Sequence, residues 1–360
     1  MHTTVRSALE IGSDLAAIDL TRTMSNEIDA ATVGAFRDGD SVAFDRITRR
    51  FSPELRVHCY RMIGSLDDAE DLLQETLMRA WNRRDSYEGR AGVRAWLYRI
   101  ATNACIDAAR ARAARLAAEH GGGAAPRYDR FPWLQPYPDA LLDQAASEDA
   151  QPDARVVSRD TIELAFLAAV QGLPPKQRAV LILRDVLDFS ARETAEILDD
   201  TTAAINGALQ RARATIQRRR DTRHAGGAST PSFDEALLLQ AFMDAQDRGD
   251  VGAIVDLLRE DVRMTLLPDA VTWDGREEVA RELRRKRQDF DGDVRSMPIA
   301  ANRQPALAVY VRGAGDVVYS AWAIVLLGMR DGKLREIATF ASPDLFSRFG
   351  LPPTLAAGPG

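Results

Sequence analysis

The stretch from Leu66 to Arg115 constrains the fold most, because an acidic helical pattern runs directly into a basic one. From Leu66 to Trp81, apolar residues recur at helical spacing on one face, and the opposite face carries Asp68, Asp71, Gln74 and Glu75. There are five acids and no base from Leu66 to Met78, but nine arginines against three acids from Arg79 to Arg115. Such a change of sign predicts two partners, a basic protein surface and phosphate. A solvated helix in an ordinary bundle is the alternative that charge alone leaves open.

Bulk composition limits the classes of protein that need to be considered. The 360 residues predict two or three domains, and 46% hydrophobic with 28% charged residues is globular. A net charge of −6 excludes a uniformly basic nucleic-acid binder. No apolar run reaches the roughly eighteen residues that span a bilayer, so we expect no membrane contact. Cys59 and Cys105 fit buried reduced thiols in a cytoplasmic protein, and no His/Cys cluster suggests zinc or another cofactor.

The regions beside the central stretch also follow helical patterns. Residues 1–25 are expected to form a flexible extension rather than a signal peptide, because acids interrupt any apolar run. Asp40 to Gly64 predicts a helix that packs on the Leu66 helix, for which Ser65 is the expected N-cap. A loop from Arg84 to Val93 precedes a helix from Arg94 to Arg115, whose exposed side is expected to carry Asn103, Asp107 and Arg110.

Residues 116–157 change in character. Glu119 to Asp153 contains seven acids, two arginines and several helix-breaking prolines and glycines, so we expect an extended acidic linker. Its sequence FPWLQPYPD, Phe131 to Asp139, is too aromatic for a plain spacer and is expected to dock on something. Simple packing on a neighbouring domain would explain these aromatic residues as well.

A helix-turn-helix pattern follows in residues 158–222. Ser190 and Glu193 form a capping box that opens a short helix, and after a turn at Asp199 a longer helix begins at Thr202. This second helix leaves outside Thr202, Asn206, Gln210, Arg211 and Arg213. Amides and arginines at the start of an exposed helix are the side chains that read bases and hold phosphates in a major groove. A structural helical hairpin is the alternative.

The chain after the short linker 223–231 changes to a mixed pattern. Two amphipathic helices from Ser232 to Asp261 precede a strand at Val262–Leu267, a charged helix and a curved antiparallel sheet, in which Asp331-Gly332 signals a tight hairpin. This order predicts an α+β domain over residues 232–350.

The order of these segments resembles the extracytoplasmic-function (ECF) group of sigma-70-type RNA polymerase sigma factors. The resemblance rests on DAEDLLQETLMRAW, RAWLYRIATNACID, LPPKQRAVLILRDVLDFSARETAEIL and AAINGALQRAR. The tail looks like the NTF2/SnoaL-like cone domains that end some of these factors. The implied fold class is multidomain: two all-α units, sigma region 2 (26–115) and the helix-turn-helix of region 4 (158–222), joined by the linker and followed by the cone domain.

The resemblance also implies roles for individual residues. Core RNA polymerase would be bound through its β′ clamp helices and β flap, with the clamp helices on Asp68, Asp71, Gln74 and Glu75. Promoter DNA at the −10 element would meet Arg84, Tyr87, Arg90, Arg94, Asn103, Asp107 and Arg110. The −35 element would be read by Thr202, Asn206, Gln210, Arg211 and Arg213. The acidic linker would extend towards the active-centre cleft of the polymerase.

The function of the C-terminal domain is the least constrained by sequence. All four histidines precede it, which excludes a histidine mechanism there, and Asp261, Asp269 and Asp274 are candidate acids that fit solvated positions equally well. We expect a regulatory domain, with a small apolar ligand near Trp273, Phe290 and Trp322 as one option and core packing of these rings as the other. Two alternative functions remain for the whole protein. One is a helix-turn-helix regulator with a ligand-sensing C-terminal domain, and the other is a cone-domain enzyme with an N-terminal DNA-binding part.

Overall fold

The structure, a computed structural model, describes residues 28–87, 92–120, 131–147, 159–221 and 233–356. The flexible extension expected at residues 1–25, the linker 223–231 and Arg90 lie outside these residues.

The first helical unit contains four helices and a short 3₁₀ turn at Arg84–Ser86. Its helices are α1 (Ala30–Arg37), α2 (Ser41–Ile63), α3 (Leu66–Asn82) and α4 (Val93–His120). Ser65 Oγ accepts from the Asp68 backbone N–H at 3.2 Å, which confirms the predicted N-cap of α3. Helix α4 extends to His120, beyond the predicted end at Arg115, because leucine, two alanines and a glutamate follow that arginine and all are strong helix formers.

The linker segment, residues 131–147, is folded onto its neighbours. It contains the helix α5 (Asp139–Ser147), which the expectation of an extended linker missed. The cluster of prolines ends at Pro138, so the residues after it, rich in alanine and leucine, are free to form a helix. The aromatic part packs on the neighbouring helical unit, which is the alternative that the sequence left open: Phe131, Leu134 and Tyr137 are buried in the same core as the first helical unit.

The second helical unit runs from residue 159 to residue 221. Its helices are α6 (Arg159–Ile162), α7 (Leu164–Gln171), α8 (Pro175–Leu181) with a π-helical turn at Ile182–Val186, α9 (Ala191–Leu198) and α10 (Thr202–Asp221). The Ser190–Glu193 capping box is present in both directions, at 3.1 Å and 2.7 Å. Asp199 adopts the left-handed conformation, φ 50°, and so turns the chain between α9 and α10.

The C-terminal domain is an α+β domain with one seven-stranded sheet in the order β2-β1-β6-β5-β4-β3, with β7 pairing to β5. Its helices are α11 (Phe233–Asp247), α12 (Val251–Leu257), α13 (Arg276–Asp289) and α14 (Leu345–Arg348), and its strands are β1 (Leu258–Leu267), β2 (Val271–Asp274), β3 (Gly292–Ala301), β4 (Gln304–Gly313), β5 (Val318–Arg330), β6 (Lys333–Phe340) and β7 (Thr354–Ala356). The expected antiparallel sheet is wrong in one pairing, since β1 and β6 are parallel. The predicted Asp331-Gly332 hairpin is confirmed, with φ values of 52° and 70°.

The two faces of this sheet belong to two different cores. Along β4, Leu307 and Val309 pack with α11–α13, whereas Ala306, Ala308 and Tyr310 pack in a core shared with both helical units. Successive side chains of a strand point to opposite faces of the sheet. Because apolar residues of β4 point to both faces, this strand is buried on both sides. The helical units therefore pack on the face of the C-terminal sheet that is opposite to α11–α13.

Candidate functional site

The acidic face of α3 is partly exposed and partly held by other elements. Asp71 and Gln74 are exposed, and Glu75 is half-buried in an ion pair with Arg79 at 2.6 Å. Asp68 forms an ion pair with Arg112 of α4, whose guanidinium also lies 4.9 Å from the Trp133 ring centroid. Three of the four predicted polymerase-binding residues thus face outward, while Asp68 is anchored to α4.

The N-terminus of α3 is fixed by the linker segment. Gln135 Oε1 accepts from the backbone N–H groups of Leu66 at 2.7 Å and Asp67 at 3.0 Å, and its amide nitrogen donates to Asp67 at 2.8 Å. Arg348 of the C-terminal domain donates to the other oxygen of Asp67 at 2.7 Å. Sequence reasoning missed Gln135 and Arg348, because nothing local to a glutamine or an arginine shows that it caps a distant helix.

The polar side of α4 lies as predicted. Asn103, Asp107 and Arg110 are all exposed, and Arg110 Nη1 lies 3.8 Å from Asp107 Oδ1. The other side of the helix, with Leu97, Ala104 and neighbouring residues, is buried in the core. Spacings of four and three residues place Asn103, Asp107 and Arg110 on one side of the helix, where they form one continuous polar stripe.

Two of the loop candidates before α4, Tyr87 and Arg84, contact other residues of the protein. Tyr87 is only 6% exposed and packs on Trp96 with ring centroids 5.3 Å apart, and burial raises its pKa. Arg84 lies over the Trp81 ring at 4.8 Å and donates to the Trp81 carbonyl at 2.9 Å. Neither side chain is presented to a partner in this conformation, so their contact with DNA stays a prediction for another state.

Arg94 is a second candidate that the structure places in a protein contact. Its Nε and Nη2 atoms both donate to Glu54 Oε2 at 3.0 Å, and Tyr98 donates to the same oxygen at 3.1 Å. The guanidinium also lies 5.1 Å from the Tyr98 and Phe189 ring centroids. Because Glu54 is buried, this pair satisfies a charge that would otherwise be costly, and Phe189 brings the second helical unit onto α4.

The second helix of the helix-turn-helix, α10, has the exposed and buried sides that the sequence predicts. Ile205, Ala208, Leu209 and Ala212 are buried, and all five candidates Thr202, Asn206, Gln210, Arg211 and Arg213 are exposed. Arg213 is held by Asp185 through two bonds of 2.6 Å and 2.8 Å, and these bonds raise its pKa. Four candidates are thus directed outward with no such contact in the described part of the chain, while Arg213 is bonded to the π-helical turn that follows α8.

Two buried arginines, Arg178 and Arg61, join the two helical units. Arg178 of α8 donates to the carbonyls of Met62, Gln171 and Leu173, and Arg61 of α2 donates to Thr161. Burial lowers the pKa of Arg178 to about 9 and that of Arg61 to about 10. Carbonyls at the end of α2 are orphan acceptors, so a cation from the other unit satisfies them.

Asn302 joins the C-terminal domain to the linker segment and to both helical units. It lies at the turn between β3 and β4 with φ 54°, a conformation that asparagine tolerates. Its amide nitrogen donates to the Tyr60 hydroxyl and the Ile162 carbonyl, both at 2.9 Å, and its oxygen accepts from the Tyr137 N–H at 2.8 Å. The asparagine preference for such turns was a usable sequence signal, but its three partners were not visible in the sequence.

The candidate residues of the C-terminal domain lie in ordinary structural contacts. Asp261 pairs with Arg259 and Arg335, and Asp274 pairs with Arg263 at 2.6 Å. Trp273 and Trp322 pack against the core beneath α11–α13, and Lys286 Nζ lies 5.4 Å from the Trp273 ring centroid. Over the residues that the structure describes, no His, Cys, Asp or Glu cluster could hold a metal, and no helix is long and apolar enough to cross a membrane.

Family models match three segments of the chain. These are Sigma-70 region 2 over residues 47–115, Sigma-70 region 4 over residues 163–216 and a SnoaL-like domain over residues 239–337. The combination defines a sigma-70-type transcription factor with a SnoaL-like tail.

Individual relatives narrow this class. The chain is 37% identical over 329 residues to the ECF RNA polymerase sigma factor SigG of Mycobacterium tuberculosis, covering 89% of this chain and 86% of SigG. It is 30% identical over 184 residues to SigW of Bacillus subtilis, covering 51% of this chain and 91% of SigW. The chain belongs to the ECF sigma factor family. The crystal structure of Mycobacterium tuberculosis SigJ has the same fold, with a TM-score of 0.58 and 22% identity over 85% of this chain and 99% of SigJ.

Proposed function

We propose that this protein binds core RNA polymerase, recognises the −35 and −10 promoter elements and initiates transcription. The observation that carries the proposal is the presentation of three polar surfaces by one set of packed helices. These are the acidic face of α3, the polar stripe of α4 and the exposed side of α10. A helix-turn-helix regulator needs only the exposed side of α10. That alternative function therefore leaves the acidic face of α3 without a partner.

The charge of each surface indicates which partner it binds. The acidic α3 face complements a basic helix pair such as the β′ clamp helices, with the β flap as a second contact of the helix-turn-helix unit. Arg110 and the amide of Asn103 contact the −10 strand, and Arg84, Tyr87 and Arg94 join them once their present contacts open. Arg90 is a further candidate for this contact. On α10, Asn206 and Gln210 read base edges, and Arg211 and Arg213 hold phosphate.

The compact packing argues that the C-terminal domain restrains the factor in cis. Asn302 and Arg348 bind Tyr60, the linker segment and α3, and all of these contacts must change if the helical units separate along a promoter. We propose that polymerase binding releases this arrangement. A catalytic role is not proposed, because Asp261 and Asp274 lie in arginine ion pairs. The small-molecule ligand near Trp273, Phe290 and Trp322 stays a prediction, and we propose the cytoplasm as the site of action.

Run-off transcription tests the central proposal. Purified protein is mixed with core RNA polymerase and candidate promoter templates, and transcripts are measured with and without the protein. Transcripts of defined length that depend on the protein are expected. A protein that binds duplex promoter DNA unaided, forms no stable complex with core polymerase and yields no transcript would be a helix-turn-helix regulator instead.

A further inference from the structure

We propose that a cavity between α3, the linker segment and the C-terminal domain binds a small neutral molecule with an apolar ring and a carbonyl group. Bound there, this molecule holds the closed arrangement together and so opposes the binding of core polymerase. The inference rests on the restraint in cis proposed above and names a class of ligand for it. The cavity is separate from the core beneath α11–α13, where Trp273 and Trp322 lie.

The cavity has a volume of about 280 Å³ and takes its walls from three parts of the chain. The start of α3, the linker segment and the C-terminal domain contribute, among others, Ser65 and Asp68, Trp133 and Leu134, and Phe340 and Leu345. At about 30 Å³ for each water molecule in the liquid, this volume corresponds to roughly nine waters. The occupant is therefore a small molecule of about one ring, because pockets for drug-sized ligands begin near about 300 Å³.

Most of the wall is apolar, which selects an apolar body for the ligand. Leu134, Phe340 and Leu345 are at most 3% exposed, and Pro132 and Pro268 also line the cavity. Water in such a site has few polar partners, so its replacement by an apolar ring is favourable. Ligand pockets in proteins combine walls of this kind with a few polar groups that fix the orientation of the ligand.

The charges at the cavity cancel one another and thereby select a neutral ligand. Asp67 and Asp68 both line it, but Arg348 donates to Asp67 at 2.7 Å and Arg112 forms an ion pair with Asp68. Gln135 also donates to Asp67, at 2.8 Å. A charged ligand would lose its hydration on entry, and both carboxylates already pair with an arginine, so no opposite charge would offset this cost.

The indole of Trp133 supplies the polar group that fixes the orientation. Within the described part of the chain, its Nε1 atom is buried and has no acceptor. The ring contacts the Arg112 guanidinium, 4.9 Å from its centroid, and the Phe131 ring, at 5.2 Å between centroids, and neither side chain carries a hydrogen-bond acceptor. Since buried donors are nearly always bonded, a carbonyl oxygen of the ligand is the acceptor that completes this site.

The position of the cavity decides the sign of the effect. Its walls belong to units that, in the proposed function, separate when polymerase binds, so the complete site exists only in the closed protein. A ligand that binds one of two states shifts the population towards that state. By thermodynamic linkage, polymerase weakens ligand binding by the same factor by which the ligand weakens polymerase binding. The ligand is therefore an inhibitor of the factor.

An NMR titration of the full-length protein with acetophenone, a neutral aromatic ketone, tests the site without polymerase. A probe of this size is expected to bind with a dissociation constant in the millimolar range, given the free energy per atom that small ligands reach. Ser342→Phe places a ring in the cavity that Ser342 lines, so it should abolish this binding. Ser347→Phe is the matched control, since Ser347 is exposed and does not line the cavity, and it should bind the probe as the parent does.

Two results of this titration would overturn the site. One is the absence of saturable binding to the parent at millimolar concentrations. The other is binding that survives in Ser342→Phe, which would place the probe elsewhere, for example beneath α11–α13. Thermal unfolding checks that Ser342→Phe is folded, and the next comparison does not depend on that variant.

Trp133→Phe and a set of related probes test the class of ligand. The substitution keeps an aromatic ring but removes the N–H, so acetophenone should bind about fivefold more weakly. Toluene has no acceptor and should bind the two proteins within about twofold of each other. Benzoate and benzylamine should bind the parent at least about tenfold more weakly than acetophenone, because each carries a charge. An equal effect of Trp133→Phe on acetophenone and toluene, or tighter binding of either charged probe, would overturn the assignment of a neutral carbonyl ligand.

The dissociation constant of the full-length protein and core RNA polymerase tests the inhibitory effect. Acetophenone at about ten times its own dissociation constant should weaken this binding about tenfold in the parent, whereas the probe should have no effect on Ser342→Phe. Saturation with acetophenone that leaves polymerase binding by the parent unchanged would overturn the inference but leave the proposed function standing. A parent protein that does not bind polymerase even without the probe would instead contradict the proposed function.

Discussion

At the scale of single residues, burial of ionisable groups sets the chemistry of the helical core. His58 of α2 is fully buried, with Nε2 2.9 Å from Thr102 Oγ1 and its ring against Tyr98. Burial, aided by the positive charges of Arg61 and Arg94, lowers the pKa of His58 to about 3. The folded protein therefore holds the His58 imidazole in its neutral form.

This shift predicts a pH dependence of stability. The folded-state pKa lies below the unfolded value of 6.5, so the contribution of His58 is complete above pH 6.5 and is lost as the pH falls towards 3. The slope from one proton is at most about 1.4 kcal/mol per pH unit. Urea unfolding between pH 7 and 5 should show this loss, and His58→Gln should show a smaller slope over the same range. Parallel slopes for the two proteins would mean that His58 is not held neutral.

At the scale of elements, the acidic face of α3 carries the strongest prediction. Asp71→Arg together with Glu75→Arg should abolish binding to core polymerase, because two charges change sign on the surface that we propose meets a basic partner. Both side chains lie outward, so the fold should survive, as circular dichroism can verify. Binding is measured by co-elution with core enzyme on gel filtration. Normal co-elution would remove α3 from the interface.

Helix α10 carries a complementary prediction. Asn206→Ala with Arg211→Ala should lower promoter discrimination while core binding stays unchanged, since each lost base contact costs about 1–3 kcal/mol. Run-off transcription on matched and mutated −35 templates measures the effect. Arg218→Ala is the control, because it removes an exposed arginine of the same helix far from its start. Loss of core binding in the double variant would assign α10 another role.

The elements also show where sequence patterns were sufficient. Apolar periodicity and the Ser65 and Ser190 caps placed α3, α9 and α10 with their exposed faces, because these signals are local. Helix α5 and the parallel pairing of β1 with β6 were missed. The first was hidden by the prolines before it, and the second depends on a pairing between strands about seventy residues apart.

At the scale of the whole molecule, the closed packing predicts a coupling through Asn302. Asn302→Gly keeps the left-handed turn and removes three buried side-chain bonds, to Tyr60, Ile162 and Tyr137. Loss of buried partners costs roughly 1–3 kcal/mol, so the closed state should loosen. Hydrogen exchange in residues 133–142 should become faster, and affinity for core polymerase should rise if closure restrains the factor.

A glycine at an exposed turn gives the control for this prediction. Asp331→Gly changes the β5–β6 hairpin, where φ is also positive, but lies away from the linker segment and from Tyr60. It should leave both exchange and affinity unchanged. Faster exchange in Asn302→Gly without a gain in affinity would show that the contact is structural and that the C-terminal domain does not restrain the factor.

The sequence by itself determined the helices, their charged faces, the helix-turn-helix and the class of the C-terminal domain, because periodicity, capping and charge sign act between residues close in the chain. The tertiary structure alone decided which candidates are presented. Asp71, Asn103 and Asn206 face outward, whereas Tyr87 and Arg94 are engaged by Trp96 and by Glu54. It also decided that Gln135, Arg178 and Asn302 hold the units together. Such contacts join polar groups that are distant in sequence, and what drives them is the cost of leaving buried groups unpaired, which no local pattern records.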